Sequence, residues 1–306
     1  MRLESLFTRL ESLFTRLESL FARLASLVAR LPIERLRNPP PVVAVLRLAG
    51  VVGRVGPVRA GLTLAGLAGA IERAFGMRNL KAVALTINSP GGSAVQSALI
   101  HRRVRALAEE KEVPVFAFTE DVAASGGYWL ACAGDEIFAD ENSIIGSIGV
   151  VYQGFGFTEL MKRLGIKRRL YAAGERKGML DPFIAEDPED VDRLRAIQSE
   201  VHQSFKELVR GRRRGKLKAS EEELFSGEFW TGKRALELGL IDGIGDLRTV
   251  MRQRFGERVR LRPVRVERVW PRRRLGLRSP GAAPAEWAWG LIAAIEERVM
   301  WARYGF

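Results

Sequence analysis

The chain has 306 residues, 47% of them apolar, which is enough for one large domain with appendages. One cysteine excludes an intramolecular disulfide and two histidines are too few for a His/Cys metal cluster, so neither a metal nor a cofactor is predicted. The net charge of +13 lies mostly at the ends, since residues 251–306 carry 13 arginines against 5 acidic residues and residues 1–38 carry 7 against 4.

Residues 1–38 are predicted to form an amphipathic helix built on a seven-residue repeat. The heptad RLESLFT at residues 2–8 recurs from Arg9 and from Arg16, and it places Leu and Phe along one stripe. This stripe suits a membrane interface or a partner chain, and a tolerated tandem duplication is the third interpretation. Charged residues interrupt every apolar run, so neither a secretory signal nor a transmembrane helix is predicted here.

Residues 39–255 alternate short apolar strands with helices. Near-continuous apolar strands separated by helices predict an α/β fold with a buried, parallel sheet. The predicted strands are Val42–Leu48, Val83–Ile87 and Val115–Phe118, and the predicted helices are Leu62–Phe75, Ala94–Glu110, Tyr128–Ala133 and Pro188–Arg212.

Two glycine-rich turns follow predicted strands in this unit. The first is the Asn-Ser-Pro-Gly-Gly-Ser turn at residues 88–93, where glycine would let a backbone N–H approach a substrate, although this sequence also marks an ordinary turn. The second holds Ser125 between two alanines and two glycines, at a strand-to-helix junction. Helix N–H groups favour negative charge there, so Ser125 is either a candidate nucleophile or simply an N-cap.

A serine nucleophile needs a base, and neither histidine is well placed to be one. His101 lies in a predicted helix beside two arginines and His202 in the long polar helix, so both are predicted to be solvated. A lysine base is favoured instead, although a free lysine has a pKa near ~10.4 and needs desolvation or a cationic neighbour to become neutral. Cys132 is predicted to be a small buried hydrophobe.

Five motifs in chain order make about residues 40–250 resemble the signal peptide peptidase A-type serine peptidases of family S49, which share the Clp protease/crotonase fold. They are the turn at residues 88–93, the Ser125 turn, Gly146–Val150, Lys177 at the family's spacing from the serine, and Gly232–Ala235 leading to Gly239–Asp242. The resemblance implies a crotonase/Clp-protease-like spiral of βαβ units.

The resemblance also assigns roles to individual residues. It implies a catalytic Ser125/Lys177 dyad, with Gly92 and Gly126 as oxyanion donors and Ser147 orienting the lysine. Taken alone, Lys177 reads as a surface lysine and Ser147 as a turn residue. Residues 178–183 are expected to give Lys177 a dry wall. The implied substrates are extended or signal-peptide-like segments, and the implied assembly is a closed homo-oligomer.

Residues 256–306 are predicted to be a basic tail ending in an amphipathic helix. Its apolar side suits a lipid–water interface or a neighbouring subunit. The residues on that side are Trp287, Trp289, Leu291, Ile292, Ile295, Val299, Met300 and Trp301. Many members of the family carry a membrane-spanning helix that is not predicted here. We therefore expect a cytoplasmic protein or a peripheral one at the inner face of the cytoplasmic membrane, with no specific nucleic-acid partner.

Two other functions remain open at this point. One is a catalytically silent scaffold that oligomerises beneath a membrane. The other is a crotonase-like acyl-CoA enzyme, which would share the fold and the oxyanion turn but would leave Ser125 and Lys177 without a role.

Overall fold

The computed structural model describes residues 39–55, 59–266, 291, 294–295 and 297–306. The chain divides into two units, residues 1–41 and 42–306, of which the second holds the fold described below. The predicted heptad helix of residues 1–38 lies outside the described residues, and so do Trp287, Trp289 and Ile292.

A mostly parallel sheet forms the centre of residues 42–306. The strands of the described residues are β1 (Val42–Ala49), β2 (Arg54–Val55), β3 (Arg59–Ala60), β4 (Leu80–Ser89), β5 (Val115–Ala124), β6 (Glu136–Ala139), β7 (Ile144–Gly146), β8 (Phe229–Thr231), β9 (Gly243–Ile244) and β10 (Arg260–Pro263). The strand order of the sheet is β10-β1-β4-β5-β6-β9, all parallel. Strand β7 adds in parallel to β5, β8 pairs antiparallel with β7, and β2 and β3 form a separate antiparallel pair.

Helices connect the strands and begin at well-formed caps. These helices are α1 (Leu64–Phe75), α2 (Ala94–Lys111), α3 (Gly126–Ala131), α4 (Thr158–Arg163), α5 (Pro188–Arg212), α6 (Glu221–Leu224), α7 (Gly232–Glu237) and α8 (Leu247–Phe255). The side chains of Thr63, Ser93 and Asp187 accept hydrogen bonds from N–H groups in the first turns of α1, α2 and α5. A 3₁₀ turn, Glu175–Gly178, lies between α4 and α5.

The core confirms the predicted α/β class. Residues 82–87 of β4 are buried without a break, as expected for a central strand covered on both faces. One face packs against α1, α2 and α3, whereas the other carries a smaller cluster with Phe116, Phe118 and Met251. The predicted strands lie inside β1, β4 and β5, and α5 has the predicted bounds.

The register of the sheet brings three strand ends together. Ser89 pairs with Ala123, and Ala124 pairs with Gly146, so the carboxyl ends of β4, β5 and β7 are neighbours. The turns that follow these strands therefore lie side by side, which is where ligands bind in open α/β sheets.

Candidate active site

Ser125 lies at the end of β5 in a strained backbone conformation. Its φ of 52° and ψ of −122° lie outside the regions that non-glycine residues normally adopt. Its N–H donates to the Gly146 carbonyl at 2.8 Å and its carbonyl accepts from Trp129 N–H at 3.0 Å. The side chain makes no capping hydrogen bond to α3, so the N-cap interpretation does not account for this serine.

The two predicted oxyanion donors lie next to Ser125. A Cβ on Gly126 would fall 3.3 Å from Gly92 N, and a Cβ on Gly91 would fall 2.8 Å from both Gly126 N and Ser125 Cβ. Only glycine at position 91 allows the β4–α2 turn to approach the serine this closely. Within the described residues, neither Gly92 N–H nor Gly126 N–H donates to any acceptor. Both groups are therefore available to an oxyanion beside Ser125.

Ser147 occupies the neighbouring strand end. Gly146 pairs with Ala124, so the residues that follow them, Ser147 and Ser125, are in register at neighbouring strand ends. Ser147 is buried and has a φ of 51°. Its N–H donates to the Glu228 carbonyl at 2.6 Å. Its Oγ accepts from the hydroxyl of Tyr304 at 3.2 Å, a contact across 157 residues that no sequence motif indicated.

Lys177 lies at the surface, in a segment apart from the three neighbouring strand ends in the chain. It lies in the 3₁₀ turn with an exposed side chain, and no hydrogen bond joins it to Ser125 or Ser147 in the described part of the chain. Phe183 is 38% exposed, so the dry wall expected from residues 178–183 is not built around Lys177 here. The Ser125/Lys177 dyad stays a prediction.

The prediction that His101 is solvated is wrong. His101 is 6% exposed, and its Nε2 lies 3.3 Å from the Cys132 carbonyl oxygen. Burial, reinforced by the positive charge of Arg212, lowers the pKa of His101 to about 4. His202 is half-buried with Nε2 3.1 Å from the Ile148 carbonyl oxygen, and partial burial lowers its pKa as well. Cys132 is buried as predicted, and burial raises its pKa to about 12.

Stability should depend on the protonation of His101. Because the pKa of His101 is depressed in the folded state, the unfolded chain binds the proton more readily as the pH falls. The contribution of neutral His101 to the free energy of unfolding is therefore fully present above pH ~6.5. The free energy of unfolding should then fall by about 3 kcal/mol as the pH drops from ~6.5 to ~4. Urea unfolding at pH 7 and pH 4.5 measures this fall. His101→Gln should reduce it strongly and His202→Gln, the matched control, much less. An equal fall in His101→Gln and the wild type would contradict the assignment.

Neither a metal site nor a membrane span is found among the described residues. No group of three or more His, Cys, Asp or Glu side chains there could hold a metal ion. No helix in the described parts of the chain combines the length and the apolar character needed to cross a membrane.

Comparison with known proteins gives a consistent family. The sequence profile of peptidase family S49 matches residues 107–257. The chloroplastic serine protease SPPA of Arabidopsis thaliana is 34% identical over 216 residues, covering 67% of this chain and 31% of that protein. The putative signal peptide peptidase SppA of Enterococcus faecium is 32% identical over 166 residues, covering 54% of this chain and 48% of that protein.

A Brucella abortus (strain 2308) protein named Na(+)/H(+) antiporter NhaA shows a higher identity. It is 49% identical over 271 residues, covering 86% of this chain and 37% of that protein. A match over 86% of 306 residues necessarily includes residues 107–257, so the shared part is the peptidase-like region. The transporter name therefore gives no reason to assign transport to this chain.

The chain spans between about a third and a half of the length of these relatives. A solved structure of a membrane-bound stomatin-specific protease is 15% identical and covers 74% of this chain and 93% of its own, with a TM-score of 0.47. That likeness is too loose to carry an argument.

Proposed function

The chain belongs to peptidase family S49, and on that premise we propose that it is a serine peptidase whose nucleophile is Ser125. The proposal rests on the Gly92 and Gly126 N–H groups, which donate to no acceptor among the described residues and lie beside a serine held in a strained conformation at a strand end. This arrangement supports acyl transfer, because backbone donors fixed before the reaction stabilise the developing oxyanion.

In the proposed mechanism neutral Lys177 takes the proton from Ser125 Oγ, which attacks a peptide carbonyl carbon. The carbonyl oxygen becomes an oxyanion held by Gly92 N–H and Gly126 N–H. The C–N bond then breaks, and the proton on Lys177 passes to the leaving amine. Water, deprotonated by Lys177, hydrolyses the acyl-enzyme and frees Ser125.

The proposal includes a homo-oligomer that completes the site. Residues 150–187 carry Lys177 and contain no buried residue among those whose burial is described. Seven of their apolar side chains are more than half exposed: Val151, Tyr152, Phe155, Leu160, Leu164, Ile166 and Tyr171. Large apolar side chains exposed together in one segment are typical of a protein–protein interaction surface. Covering it with further copies of the chain would also remove Lys177 from water, as a neutral lysine requires.

The proposed substrates are extended peptide segments, including signal-peptide-like ones. The relatives named SPPA and signal peptide peptidase SppA favour this class. The arginines of residues 251–306 support peripheral contact with an anionic membrane surface, which we place at the inner face of the cytoplasmic membrane.

A serine-directed covalent probe tests the proposed activity directly. A fluorophosphonate should label the native chain at Ser125, identified by mass spectrometry of the modified peptide, because activation by a base and oxyanion donors is what such probes require. Heat-denatured protein and Ser125→Ala should remain unlabelled. The control variant Ser226→Ala, which loses an exposed serine, should label like the wild type. Native protein that resists the probe would favour the silent scaffold or the acyl-CoA enzyme instead.

A further inference from the structure

The C-terminal residues 297–306 pack directly on the cleft that holds Ser125. Residues 297–302 are helical and are followed by a turn through Gly305. Met300 packs against Val51. The next residue, Val52, forms a β-bridge with Gly92. Trp301 packs on a separate cluster, formed by Val122, Ala124 and Tyr304. The segment therefore contacts both the oxyanion turn and the strand that ends in the nucleophile.

Tyr304 makes the deepest contact of this segment. It is 8% exposed, its ring meets that of Phe229 edge-on with centroids 5.1 Å apart, and its hydroxyl donates to Ser147 Oγ. Ser147 Oγ is the atom predicted to orient Lys177. While Tyr304 donates to this oxygen, its hydroxyl occupies a hydrogen-bonding position of Ser147 Oγ that the lysine would otherwise use.

The surface beneath the segment is an apolar floor. Val122 and Ala124 point to the face of β5 opposite Ala123, which belongs to the main core. Together with Ile144 on β7 they would form an apolar strip beside Ser125 if the segment were absent. A strip of this kind, beside a nucleophile, fits the aromatic and aliphatic side chains of a peptide.

The segment is folded in a way that resists cleavage. Phe306 N–H bonds to the Trp301 carbonyl and Gly305 N–H to the Ala302 carbonyl, while Gly305 has a φ of 88°. This is a Schellman cap, and the accompanying apolar contact is that of Trp301 with Phe306, whose ring centroids lie 6.4 Å apart. The carbonyls of Trp301 and Ala302 are engaged within the turn, so this part of the segment can occupy the cleft without presenting an extended peptide bond to Ser125.

We propose that residues 297–306 are a built-in competitor of substrate, and that the strip they cover binds apolar peptide segments carrying an aromatic side chain. This inference rests on the proposed peptidase function, because it treats the cleft at Ser125 as the peptide-binding site. Substrate binds only when the segment leaves the cleft. The apparent activity is therefore proportional to the fraction of chains whose cleft is vacant.

Point variants in the full chain test the competition. Tyr304→Ala removes the ring and the hydroxyl, and Trp301→Ala removes the second anchor; both should raise the rate of fluorophosphonate labelling at Ser125 by about five-fold or more. Tyr304→Phe keeps the ring and loses only the bond to Ser147, so a smaller increase is expected. Arg298→Ala, an exposed position on the same helix, should label at the wild-type rate. Adding a synthetic peptide of residues 294–306 to Tyr304→Ala should slow labelling again.

The direction of the change decides between competition and mere structural support. A segment that only braces Ser147 would make Tyr304→Ala and Tyr304→Phe slower than the wild type, and slower or unchanged labelling in both would overturn the proposal. A binding measurement does not depend on catalysis. The fluorescein-labelled 294–306 peptide, followed by anisotropy in a Ser125→Ala background, should bind Tyr304→Ala more tightly than a chain with its own segment in place. Equal binding would also overturn the proposal, whereas an absence of labelling in every variant would count against the peptidase function alone.

Discussion

Ser125→Ala and Lys177→Ala should each lower the rate of peptide hydrolysis by at least about 10³-fold while leaving the fold intact, since nucleophile and base act as one unit. The double variant should be no worse than either single variant, because the removal of one member already disables the other. Turnover of a fluorogenic peptide measures the loss, and thermal unfolding by circular dichroism checks the fold. Lys162→Ala is the matched control, since Lys162 is another exposed lysine between β7 and α5.

Because Lys177 is exposed, a second experiment is needed to show which copy of the chain it serves. Mixing Ser125→Ala subunits with Lys177→Ala subunits tests whether the lysine of one copy serves the serine of another. Recovery of activity would assign the pair to different copies, whereas continued inactivity of a properly mixed oligomer would assign it to one chain. Near-wild-type turnover of Lys177→Ala would show that the base is another residue, and a rate optimum near pH 5 would point to a carboxylate.

The sheet and the serine turn were predictable because their signals are local. Residues 82–87 of β4 are apolar enough to be recognised as a covered strand, and the two glycine turns stand directly after strands. Parallel strands that are neighbours in a sheet bring their carboxyl ends together, so turns far apart in sequence meet at one edge. The proximity of Gly92, Gly126 and Ser147 to Ser125 follows from that geometry.

The burial of His101 could also have been recognised. The buried positions of α2 include Ile100, Val104, Leu107 and Ala108, and His101 lies on the same stripe at helical spacing. The adjacent arginines indicate a charged surface, but neighbours in sequence face different sides of a helix. Position on the stripe was the better indicator.

No pattern in the sequence predicts the contact of Tyr304 with Ser147. It depends on where the C-terminal segment returns to the sheet, which neither hydrophobic periodicity nor a motif specifies. The same limit applies to Lys177, because a resemblance gives its spacing from the serine but says nothing of the conformation of residues 150–187. Both are questions of tertiary packing across long stretches of chain.

The Gly239–Asp242 motif, which is part of the resemblance to family S49, has a physical role in the structure. The carbonyls of Gly239 and Leu240 accept hydrogen bonds from the guanidinium of Arg213 and from the hydroxyl of Tyr128, respectively. Asp242 pairs with Arg213 and with Lys216 at 2.7 Å, and it accepts Ile137 N–H at 2.8 Å. Because Tyr128 lies in α3, directly after the nucleophile turn, this network fixes the helix that positions Ser125.

Asp242→Ala should therefore destabilise the fold by about 3–5 kcal/mol, because it leaves the guanidinium of Arg213, only 1% exposed, buried without its counter-charge. Urea unfolding measures the loss. Asp246→Ala is the control: it removes an N-cap carboxylate that bonds the Arg248 and Thr249 N–H groups at the start of α8, which should cost about 1 kcal/mol. Equal losses in the two variants would show that the Arg213 pair adds nothing beyond an ordinary surface carboxylate.

The network also predicts how acid acts on this region. Burial alone would raise the pKa of Asp242, but the hydrogen bonds from Arg213 and Lys216 outweigh it and lower the pKa below its ordinary value. A depressed carboxyl pKa stabilises the folded state above pH ~3.9, and that contribution is lost as the pH falls through the folded value. The wild type should consequently lose stability below pH ~4 in a step that Asp242→Ala lacks.

Because α3 is tied to the same network, the labelling of Ser125 at neutral pH should also slow in Asp242→Ala under conditions where the variant remains folded. Labelling at the wild-type rate there would show that α3 holds Ser125 without this support.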